Sequence, residues 1–366
     1  MKVLFAGGGT AGHINPAISV ADYIKAQEGD FEALFIGTER GLEKKLVPLA
    51  GYKIKYIDIC GFDRKNLLKN FSVLKKLIKS RSDCRKIMKE FKPDAVVATG
   101  GYVSGPVCMA AKKLGIPSVI HEQNVYPGLT VKGAEKYVDY TLLSFSKTIS
   151  QMKNKDKCVV TGNPVRCEIL DTDPEKARQE FGITDKPLVL VFGGSLGAQK
   201  INDTMIGVIK RLLKDNKTAL IFGTGDRNFA TVKKQLDDEG IELSDDIKVV
   251  PYINNMAQVM AACDIVVSRA GAITVSEIAA MGKPSILIPS PNVVRNHQEQ
   301  NAREFEKAGA AVVITEDVLS DEVLYNEICA LSKDKKRLKD MSKNVATLAK
   351  RDALLKIYEV IKKIAK

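Results

Sequence analysis

The stretch Val3-Leu-Phe-Ala-Gly-Gly-Gly-Thr-Ala-Gly-His13 decides the fold, because a short apolar run leads directly into a glycine-rich loop and then into a helical segment. The second half of the chain repeats this arrangement in Phe192-Gly-Gly-Ser-Leu-Gly-Ala198. A strand followed by a glycine loop and a helix is the opening unit of a parallel sheet with crossover helices. We therefore predict two such sheets.

Short β-branched runs alternate with helical stretches along all 366 residues, and single hydrophobic cores seldom grow past about 250–300 residues. The pattern predicts the α/β class, with two Rossmann-like parallel-sheet domains that face a cleft. Ligands of open α/β sheets bind beyond the carboxyl ends of the strands, so the loops after the strands form the candidate site. The predicted strands are Val3–Ala6, Ala33–Ile36, Lys55–Ile59, Ala95–Thr99, Ser118–His121, Tyr140–Leu143, Leu188–Phe192, Ala219–Phe222, Lys248–Pro251, Ile265–Ser268, Ser285–Ile288 and Ala311–Ile314.

A polar stretch between the halves, Thr161-Gly-Asn-Pro-Val-Arg166, marks the domain boundary. We predict an N-terminal domain over 1–163, a C-terminal domain over 164–340 and a final segment over 341–366. Apolar residues at three- and four-residue spacing predict that this last segment is a helix that packs back on the first domain. These residues are Leu354, Ile357, Tyr358, Ile361 and Ile364.

The composition is that of an ordinary globular protein, with 45% hydrophobic and 27% charged residues. The apolar run at the N-terminus is too short for a signal peptide, and no segment approaches the ~20 apolar residues of a membrane-spanning helix. The seven cysteines form no C-x-x-C pair, so we expect an intracellular protein without structural zinc. The net charge of +12 indicates an anionic partner, which would be a nucleic acid, an acidic lipid or a phosphorylated substrate.

The first glycine loop has two interpretations. Gly7, Gly9 and Gly12 satisfy the G-x-G-x-x-G pattern of a nicotinamide dehydrogenase, and Glu39 lies where a ribose-binding acid would follow. The same glycines suit any phosphate, because a tight turn exposes backbone N–H groups at a helix N-terminus. His13 favours the second interpretation, since an imidazole directly after the loop is placed to act as a general base. The alternative is that His13 only caps or packs at the helix start.

Two further segments of the first half lie at strand ends. Thr99-Gly-Gly-Tyr-Val-Ser-Gly-Pro106 either joins the first loop in an anion pocket of backbone amides or is only a tight turn before a helix. His121-Glu-Gln-Asn124 brings polar side chains to the rim of the sheet. Alternatively, Glu122 and Asn124 only hold the following turn in place.

In the second half, Gly193-Gly-Ser-Leu-Gly-Ala198 offers amides and a hydroxyl that suit a diphosphate. In Ser268-Arg-Ala-Gly-Ala-Ile-Thr-Val-Ser-Glu277, a helix N-terminus would face phosphates while Glu277 accepts hydrogen bonds from a ribose diol. The alternative is a capping box, Thr274-Val-Ser-Glu277, that needs no ligand. Asn296-His-Gln-Glu-Gln-Asn301 offers amides for sugar hydroxyls, or is a solvated first turn of a helix.

Asp171-Thr-Asp173 matches the D-x-D triplet that holds a divalent metal on a nucleotide-sugar diphosphate. Its context favours another role, because Asp173 followed by Pro174 is a common N-cap and first residue of a helix. We therefore expect chemistry without a metal, in which helix dipoles and backbone amides stabilise the leaving diphosphate.

The segment Arg64–Lys92 contains eleven Lys or Arg residues and only two acids. Leu67, Phe71, Leu74 and Ile78 fall on one helical face within it. An apolar stripe edged with cations is typical of helices that lie on an anionic bilayer. The alternative is a solvated helix whose stripe faces the core.

Six motifs occur together and in order along nearly the whole chain, and together they resemble the MurG family of bacterial UDP-N-acetylglucosamine transferases, which convert lipid I to lipid II in peptidoglycan synthesis. The motifs are Gly7-Gly-Gly-Thr-Ala-Gly-His-Ile-Asn-Pro16, Thr99–Pro106, His121–Asn124, Gly162-Asn-Pro-Val-Arg166, Gly193-Gly-Ser195 and Thr274-Val-Ser-Glu277.

The resemblance implies the GT-B fold, inversion at the anomeric carbon, no cofactor or metal, and a peripheral location on the cytoplasmic face of the membrane. It makes His13 the candidate base and implies an acceptor site at Gly101, Tyr102 and Glu122. Glu277 would meet the ribose, the Ile253 backbone the uracil and Gln298 the sugar. The implied donor site comprises Thr10, Ala11, Gly12, Asn124, Arg166, Ser195, Ile253, Ala272, Ile273, Thr274, Val275, Ser276, Glu277 and Gln298.

The chain departs from the family pattern at three positions. The family usually has Gln and Arg where this chain has Leu196 and Gln199, and some members have a glutamine at the position of His297. Two other functions are compatible with parts of the sequence. Another GT-B transferase, for instance one that glucosylates diacylglycerol, would share the basic surface. A non-catalytic nucleic-acid binder would explain the charge but not the glycine loops, and the chain carries no recognition motif with interleaved aromatic residues.

Overall fold

The computed structural model describes residues 1–61, 70–182, 185–194 and 197–365. The chain forms two compact units, one made of Met1–Val165 with Lys350–Lys366 and the other of Arg166–Ala349. Residues 341–349, which we expected in the returning segment, belong to the second unit. The reason is that one helix runs over Lys335–Leu348 and packs against helices of that unit.

The first unit is built on a parallel seven-stranded sheet of order β3-β2-β1-β4-β5-β6-β7. Its strands are β1 Lys2–Gly7, β2 Glu32–Gly37, β3 Lys53–Tyr56, β4 Ala95–Gly100, β5 Ser118–Glu122, β6 Tyr140–Leu143 and β7 Cys158–Val160. Its helices are α1 Ala11–Gln27, α2 Glu43–Leu49, α3 Asn70–Phe91, α4 Gly101–Leu114, α5 Leu129–Ala134 and, from the end of the chain, α15 Ala353–Ile364.

The second unit contains a parallel six-stranded sheet of order β10-β9-β8-β11-β12-β13. The strands are β8 Leu188–Phe192, β9 Ala219–Gly223, β10 Ile247–Val250, β11 Ile265–Ser268, β12 Ser285–Leu287 and β13 Ala311–Val313. The helices are α6 Cys167–Asp171, α7 Pro174–Glu180, α8 Gln199–Asp215, α9 Phe229–Asp238, α10 Met256–Ala262, α11 Ala272–Ala280, α12 His297–Lys307, α13 Asp321–Lys333 and α14 Lys335–Leu348. The predicted fold class, two Rossmann-like α/β sheets, is confirmed.

The central strands of the first sheet are apolar on both faces because helices cover both sides. Successive residues of β1 alternate between two clusters, so that Phe5 joins one core and Leu4 the other. Phe5 is in register with Phe35 of β2, and their rings stack with centroids 5.0 Å apart. Helix α15 places Leu354, Ile357, Tyr358 and Ile361 in the cluster that contains Phe5.

Two sequence predictions differ from the observed strands. The third strand covers Lys53–Tyr56 instead of 55–59, because the register with β2 pairs Leu34 with Lys53. Strand β7 was not predicted, since it has only three residues and lies at the edge of the sheet. Within the described residues, no helix combines the length and the apolar character needed to cross a membrane.

Candidate functional site

The glycine loop that follows β1 contacts the start of α4, which follows β4 directly without the predicted glycine loop. Strands β1 and β4 are neighbours at the point where the strand order of the first sheet reverses. Gly101 has a φ of +74°, and a Cβ added there would lie 2.2 Å from the carbonyl oxygen of Gly8. Only glycine therefore fits this contact. The ring of Tyr102 packs on Gly9 from the same side, so the start of α4 covers the first glycine loop.

His13 is held by the last two residues of β4. Its Nδ1 lies 3.1 Å from the carbonyl oxygen of Thr99, and the Thr99 hydroxyl donates to the His13 carbonyl oxygen at 2.6 Å. The ring lies against Gly100, where an added Cβ would be 2.7 Å from Nδ1. Thr10 is the N-cap of α1, and its side chain forms no capping hydrogen bond. The imidazole therefore has partners outside its own helix.

Gln123 lies next to His13, and His121 lies next to Gln123; both side chains are buried. Oε1 of Gln123 is 3.2 Å from Nδ1 of His13, and its Nε2 is 3.1 Å from Nδ1 of His121. Nε2 of His121 is 2.9 Å from the carbonyl oxygen of Gly162. Burial lowers the pKa of His121 to about 4, against the weaker opposing effect of the Gly162 hydrogen bond, so this ring is neutral near pH 7.

Glu122 makes the contacts expected of a residue that holds the following turn in place. Its buried carboxylate accepts from the backbone N–H of Asn124 at 2.9 Å, from the Asn124 side-chain amide at 3.1 Å and from the N–H of Gly128 at 2.7 Å. Burial raises the pKa of Glu122, and the hydrogen bonds oppose this effect. The carboxylate therefore holds the turn that carries Asn124.

Glu43 braces the first glycine loop, which the sequence did not indicate. Its fully buried carboxylate accepts from Gly9 N–H at 3.0 Å and from the Thr38 N–H and hydroxyl at 2.9 and 2.8 Å. A phosphate at Gly9 would compete with a carboxylate for the same amide. This geometry argues against the dinucleotide interpretation, in which the loop amides hold a pyrophosphate.

The second unit has its own glycine loop after β8. Gly197 has a φ of +73°, and an added Cβ would lie 2.1 Å from the carbonyl oxygen of Thr224. Gly197 therefore lies tightly against the residue that follows β9. The predicted site residue Ser195 and the neighbouring Leu196 lie outside the described residues. Gln199 opens α8 and donates to Asp203 of the same helix at 2.6 Å.

Helix α11 begins earlier than a capping box at Thr274 requires. Its N-cap is Gly271, and Thr274 is its third residue. The alternative that Thr274 and Glu277 only cap the helix is therefore wrong. The first turn of α11 contains no acidic residue, and Ser276 donates to the Ala272 carbonyl oxygen at 2.9 Å. The N–H groups at this end suit an anionic ligand.

Glu277 forms an ion pair with Arg166. Nε of Arg166 is 3.0 Å from Oε1 of Glu277, whose side chain is only 9% exposed. Burial raises the pKa of Glu277, and the Arg166 charge acts in the opposite direction. A buried carboxylate with one cationic partner retains capacity to accept further hydrogen bonds, as from a diol.

Ile253 and Gln298 follow strands of the second sheet. The side chain of Ile253 is buried against Gly223 at the end of β9. Oε1 of Gln298 accepts from the N–H of Ser290 at 2.9 Å, which orients its Nε2 as the group that can donate to a ligand. His297 is the first residue of α12, and Asn296 precedes it with a φ of +51°.

The D-x-D triplet has the structural role that its context predicted. Asp173 is the N-cap of α7, with its carboxylate accepting from Glu175 N–H at 2.9 Å and Pro174 at the first position. Among the described residues, no three His, Cys, Asp or Glu side chains form a group that could hold a metal ion.

Comparisons with known proteins agree with this arrangement. Residues 3–142 match the glycosyltransferase family 28 N-terminal domain and residues 188–357 match the family 28 C-terminal domain. A relative from Acetivibrio thermocellus is 49% identical over 100% of this chain and 99% of its own length. One from Ruminiclostridium cellulolyticum is 47% identical over the full length of both chains. Both are named UDP-N-acetylglucosamine–N-acetylmuramyl-(pentapeptide) pyrophosphoryl-undecaprenol N-acetylglucosamine transferase.

The crystal structure of Acinetobacter baumannii MurG is similar along the whole chain. It superimposes with a TM-score of 0.77 at 28% identity and covers 99% of both chains. Full-length identity well above 30%, matching family domains in both units and a common fold lead to one conclusion: the chain belongs to the MurG family of glycosyltransferases.

Proposed function

We propose that this chain transfers N-acetylglucosamine from UDP-N-acetylglucosamine to undecaprenyl-diphosphoryl-MurNAc-pentapeptide, lipid I, and so forms lipid II for peptidoglycan. The observation that carries the proposal is the 49% identity to a transferase of this name over the full chain. The acceptor lies against the first unit, near Gly101, Tyr102 and the turn that Glu122 holds.

The reaction is a single displacement with inversion. His13 accepts the proton of the acceptor hydroxyl while that oxygen forms a bond to the anomeric carbon of the donor sugar. The bond from that carbon to the diphosphate breaks, and UDP leaves with the electron pair. The fixed position of the ring against Thr99 and Gly100 supports this role, because a general base must be held within hydrogen-bond reach of the proton that it removes.

The donor binds mainly through the second unit. The N-terminus of α11 and the loop at Gly193–Ala198 stabilise the diphosphate, which develops charge as it leaves. Glu277, held by Arg166, accepts from the ribose hydroxyls, Ile253 meets the uracil and the Nε2 of Gln298 donates to the sugar. The sequence also predicts Thr10 to Gly12 and Asn124 as donor residues, and these belong to the first unit.

Helix α3 provides the proposed contact with an anionic membrane surface at the cytoplasmic face. Residues 62–69 and the side chains of 70–74 lie outside the described part, so Leu67, Phe71 and Leu74 are not described. The side chain of Ile78 is 63% exposed, while Cys84 and Met88 of the same helix are buried in the core. The exposed position of Ile78 supports the membrane interpretation over a stripe that faces the core.

Transfer of labelled N-acetylglucosamine from UDP-N-acetylglucosamine to a lipid I analogue tests the activity. We expect product with lipid I and none with diacylglycerol, and an equal rate with chelator. Transfer to diacylglycerol instead would identify the other class of GT-B enzyme. For the membrane contact, Ile78→Glu should weaken binding to vesicles that contain anionic phospholipid. Val318→Glu is a matched control, since Val318 of the second unit is 55% exposed.

A further inference from the structure

The buried side chain of Gln123 has a defined orientation. One end of its amide lies 2.8 Å from the carbonyl oxygen of Thr99. A carbonyl oxygen can only accept, so the amide atom that faces it is the nitrogen Nε2. The other end, Oε1, therefore faces Nδ1 of His13 at 3.2 Å.

The proton of His121 is fixed by the same amide. Nε2 of Gln123 donates toward Nδ1 of His121 at 3.1 Å, so Nδ1 is the accepting nitrogen of that ring. The proton of the neutral ring then lies on Nε2, which donates to the Gly162 carbonyl oxygen at 2.9 Å. The contacts at both ring nitrogens thus require the same tautomer, with the proton on Nε2. Burial keeps the ring in its neutral form.

His13 faces two acceptors at one nitrogen. Oε1 of Gln123 and the carbonyl oxygen of Thr99 lie 3.2 and 3.1 Å from its Nδ1. Neither oxygen can donate, so Nδ1 must carry the proton when the ring is neutral. The lone pair is then on Nε2.

We propose that Gln123 is a positioning residue that, together with the Thr99 carbonyl oxygen, keeps the proton of His13 on Nδ1. The direction of the Gln123 amide is set by the Thr99 carbonyl oxygen and by buried His121. The chain of hydrogen bonds runs from the Gly162 carbonyl oxygen through His121 and Gln123 to His13. It matters because only the nitrogen with the lone pair can take a proton from an acceptor. The catalytic consequence rests on the base role proposed for His13, whereas the tautomer itself does not.

NMR spectroscopy of the wild-type protein tests the tautomer of His13. The chain has three histidines, so protein labelled with ¹⁵N-histidine gives three imidazole spin systems, which His→Gln variants assign. At a pH about two units above the usual imidazole pKa of ~6.5, we expect His13 to carry its proton on Nδ1 and His121 on Nε2. A His13 ring protonated mainly on Nε2 would overturn the proposal without any assay of turnover.

Gln123→Met tests the role of the amide, because methionine has a similar length but neither donor nor acceptor of comparable strength. We expect the His13 signals to move toward a mixture of both tautomers. The Thr99 carbonyl oxygen still accepts from Nδ1, so we expect kcat to fall roughly two- to tenfold, in proportion to the rings that lose the Nδ1 proton, with little change in the KM for UDP-N-acetylglucosamine. Unchanged tautomer populations and unchanged kcat would contradict the proposal.

Gln151→Met is the matched control. Gln151 also lies in the first unit, and its Nε2 donates to the Val125 carbonyl oxygen at 3.2 Å. The control removes one comparable hydrogen bond without touching His13. If the tautomer of His13 is as expected but His13→Ala retains full turnover, the base role fails while the hydrogen-bond chain stands. If His13→Ala abolishes turnover but the neutral His13 ring carries its proton on Nε2, the hydrogen-bond chain is rejected and the base role stands.

Discussion

The guanidinium Nε of Arg166 lies 3.0 Å from the Oε1 of Glu277, and this contact joins the start of α6 to the middle of α11. Both residues belong to the second unit. Burial raises the pKa of Glu277, and the Arg166 charge and hydrogen bond oppose this effect. Glu277 therefore pairs with Arg166 and does not cap α11. A change at either residue should weaken ligand binding and should not disturb the start of the helix.

Glu277→Ala should weaken UDP binding roughly tenfold or more, since a hydrogen bond to a charged group is worth about 1.5–3 kcal/mol. Titration calorimetry measures the affinity. Glu239→Gln is a control from the same unit, because Glu239 pairs with Lys210 at the surface with both side chains about half exposed. Equal affinity of wild type and Glu277→Ala would remove Glu277 from the donor site.

Arg166→Ala should make UDP binding more sensitive to acid. The raised pKa of Glu277 means that its carboxyl gains a proton, and loses acceptor strength, as the pH falls through that pKa. Without the Arg166 charge the pKa rises further, so the loss of affinity begins at a higher pH. Affinities measured from about pH 8 to about pH 5 should show this displacement, and Glu277→Gln should show a flatter profile.

His121→Gln should change how stability depends on pH. Burial lowers the pKa of His121 from 6.5 to about 4, so between these values the unfolded chain binds more protons than the folded one. The stability that neutral His121 provides is complete above pH 6.5 and is lost as the pH falls toward 4, by on the order of 3 kcal/mol.

Glutamine retains a donor for the Gly162 carbonyl oxygen but does not titrate. Denaturant unfolding at several pH values should therefore show the wild type losing stability relative to His121→Gln in this window. Glu122, whose raised pKa acts in the opposite direction, is common to both proteins and cancels in the difference. A difference that is independent of pH would contradict the prediction.

Gly101→Ala should separate the start of α4 from the first glycine loop. The backbone has a φ of +74°, and the new Cβ would lie 2.2 Å from the Gly8 carbonyl oxygen. The strain of a left-handed residue is about 1–2 kcal/mol before the clash is added. We expect lower stability and lower kcat. Gly105→Ala in the same helix is the control, since an added Cβ there meets nothing within 4 Å and alanine favours the helix.

Glu43→Gln should loosen the loop that precedes α1, the helix that carries His13. The carboxylate accepts three hydrogen bonds, and an amide can accept only at its single oxygen. We expect a loss of stability of about 1–3 kcal/mol and a reduced kcat, measured by thermal unfolding and by the transfer assay. Glu39→Gln is the matched control because Glu39 is exposed. Equal effects of the two changes would show that Glu43 does not brace the loop.

The sequence by itself determined the architecture. Runs such as Leu188–Phe192 are apolar at every position because helices cover both faces of a parallel sheet, and this leaves a clear local signal. The positions of the glycine-rich segments could also be predicted from the sequence, because positive φ values and close backbone contacts restrict those positions to glycine. Asp173 and Pro174 predicted their helix start, because capping involves residues that are adjacent along the chain.

Only the tertiary structure decided which polar groups meet. Glu43 reaches Gly9, Gln123 lies between His13 and His121, and Arg166 pairs with Glu277. Most of these partners are tens of residues apart, and nothing in the local periodicity encodes their contact. The order of strands in each sheet brings them together, and burial then makes each hydrogen bond obligatory because an unpaired polar group in the core is costly. Local patterns thus specify the elements, whereas the protonation and pairing of the site depend on how those elements are assembled.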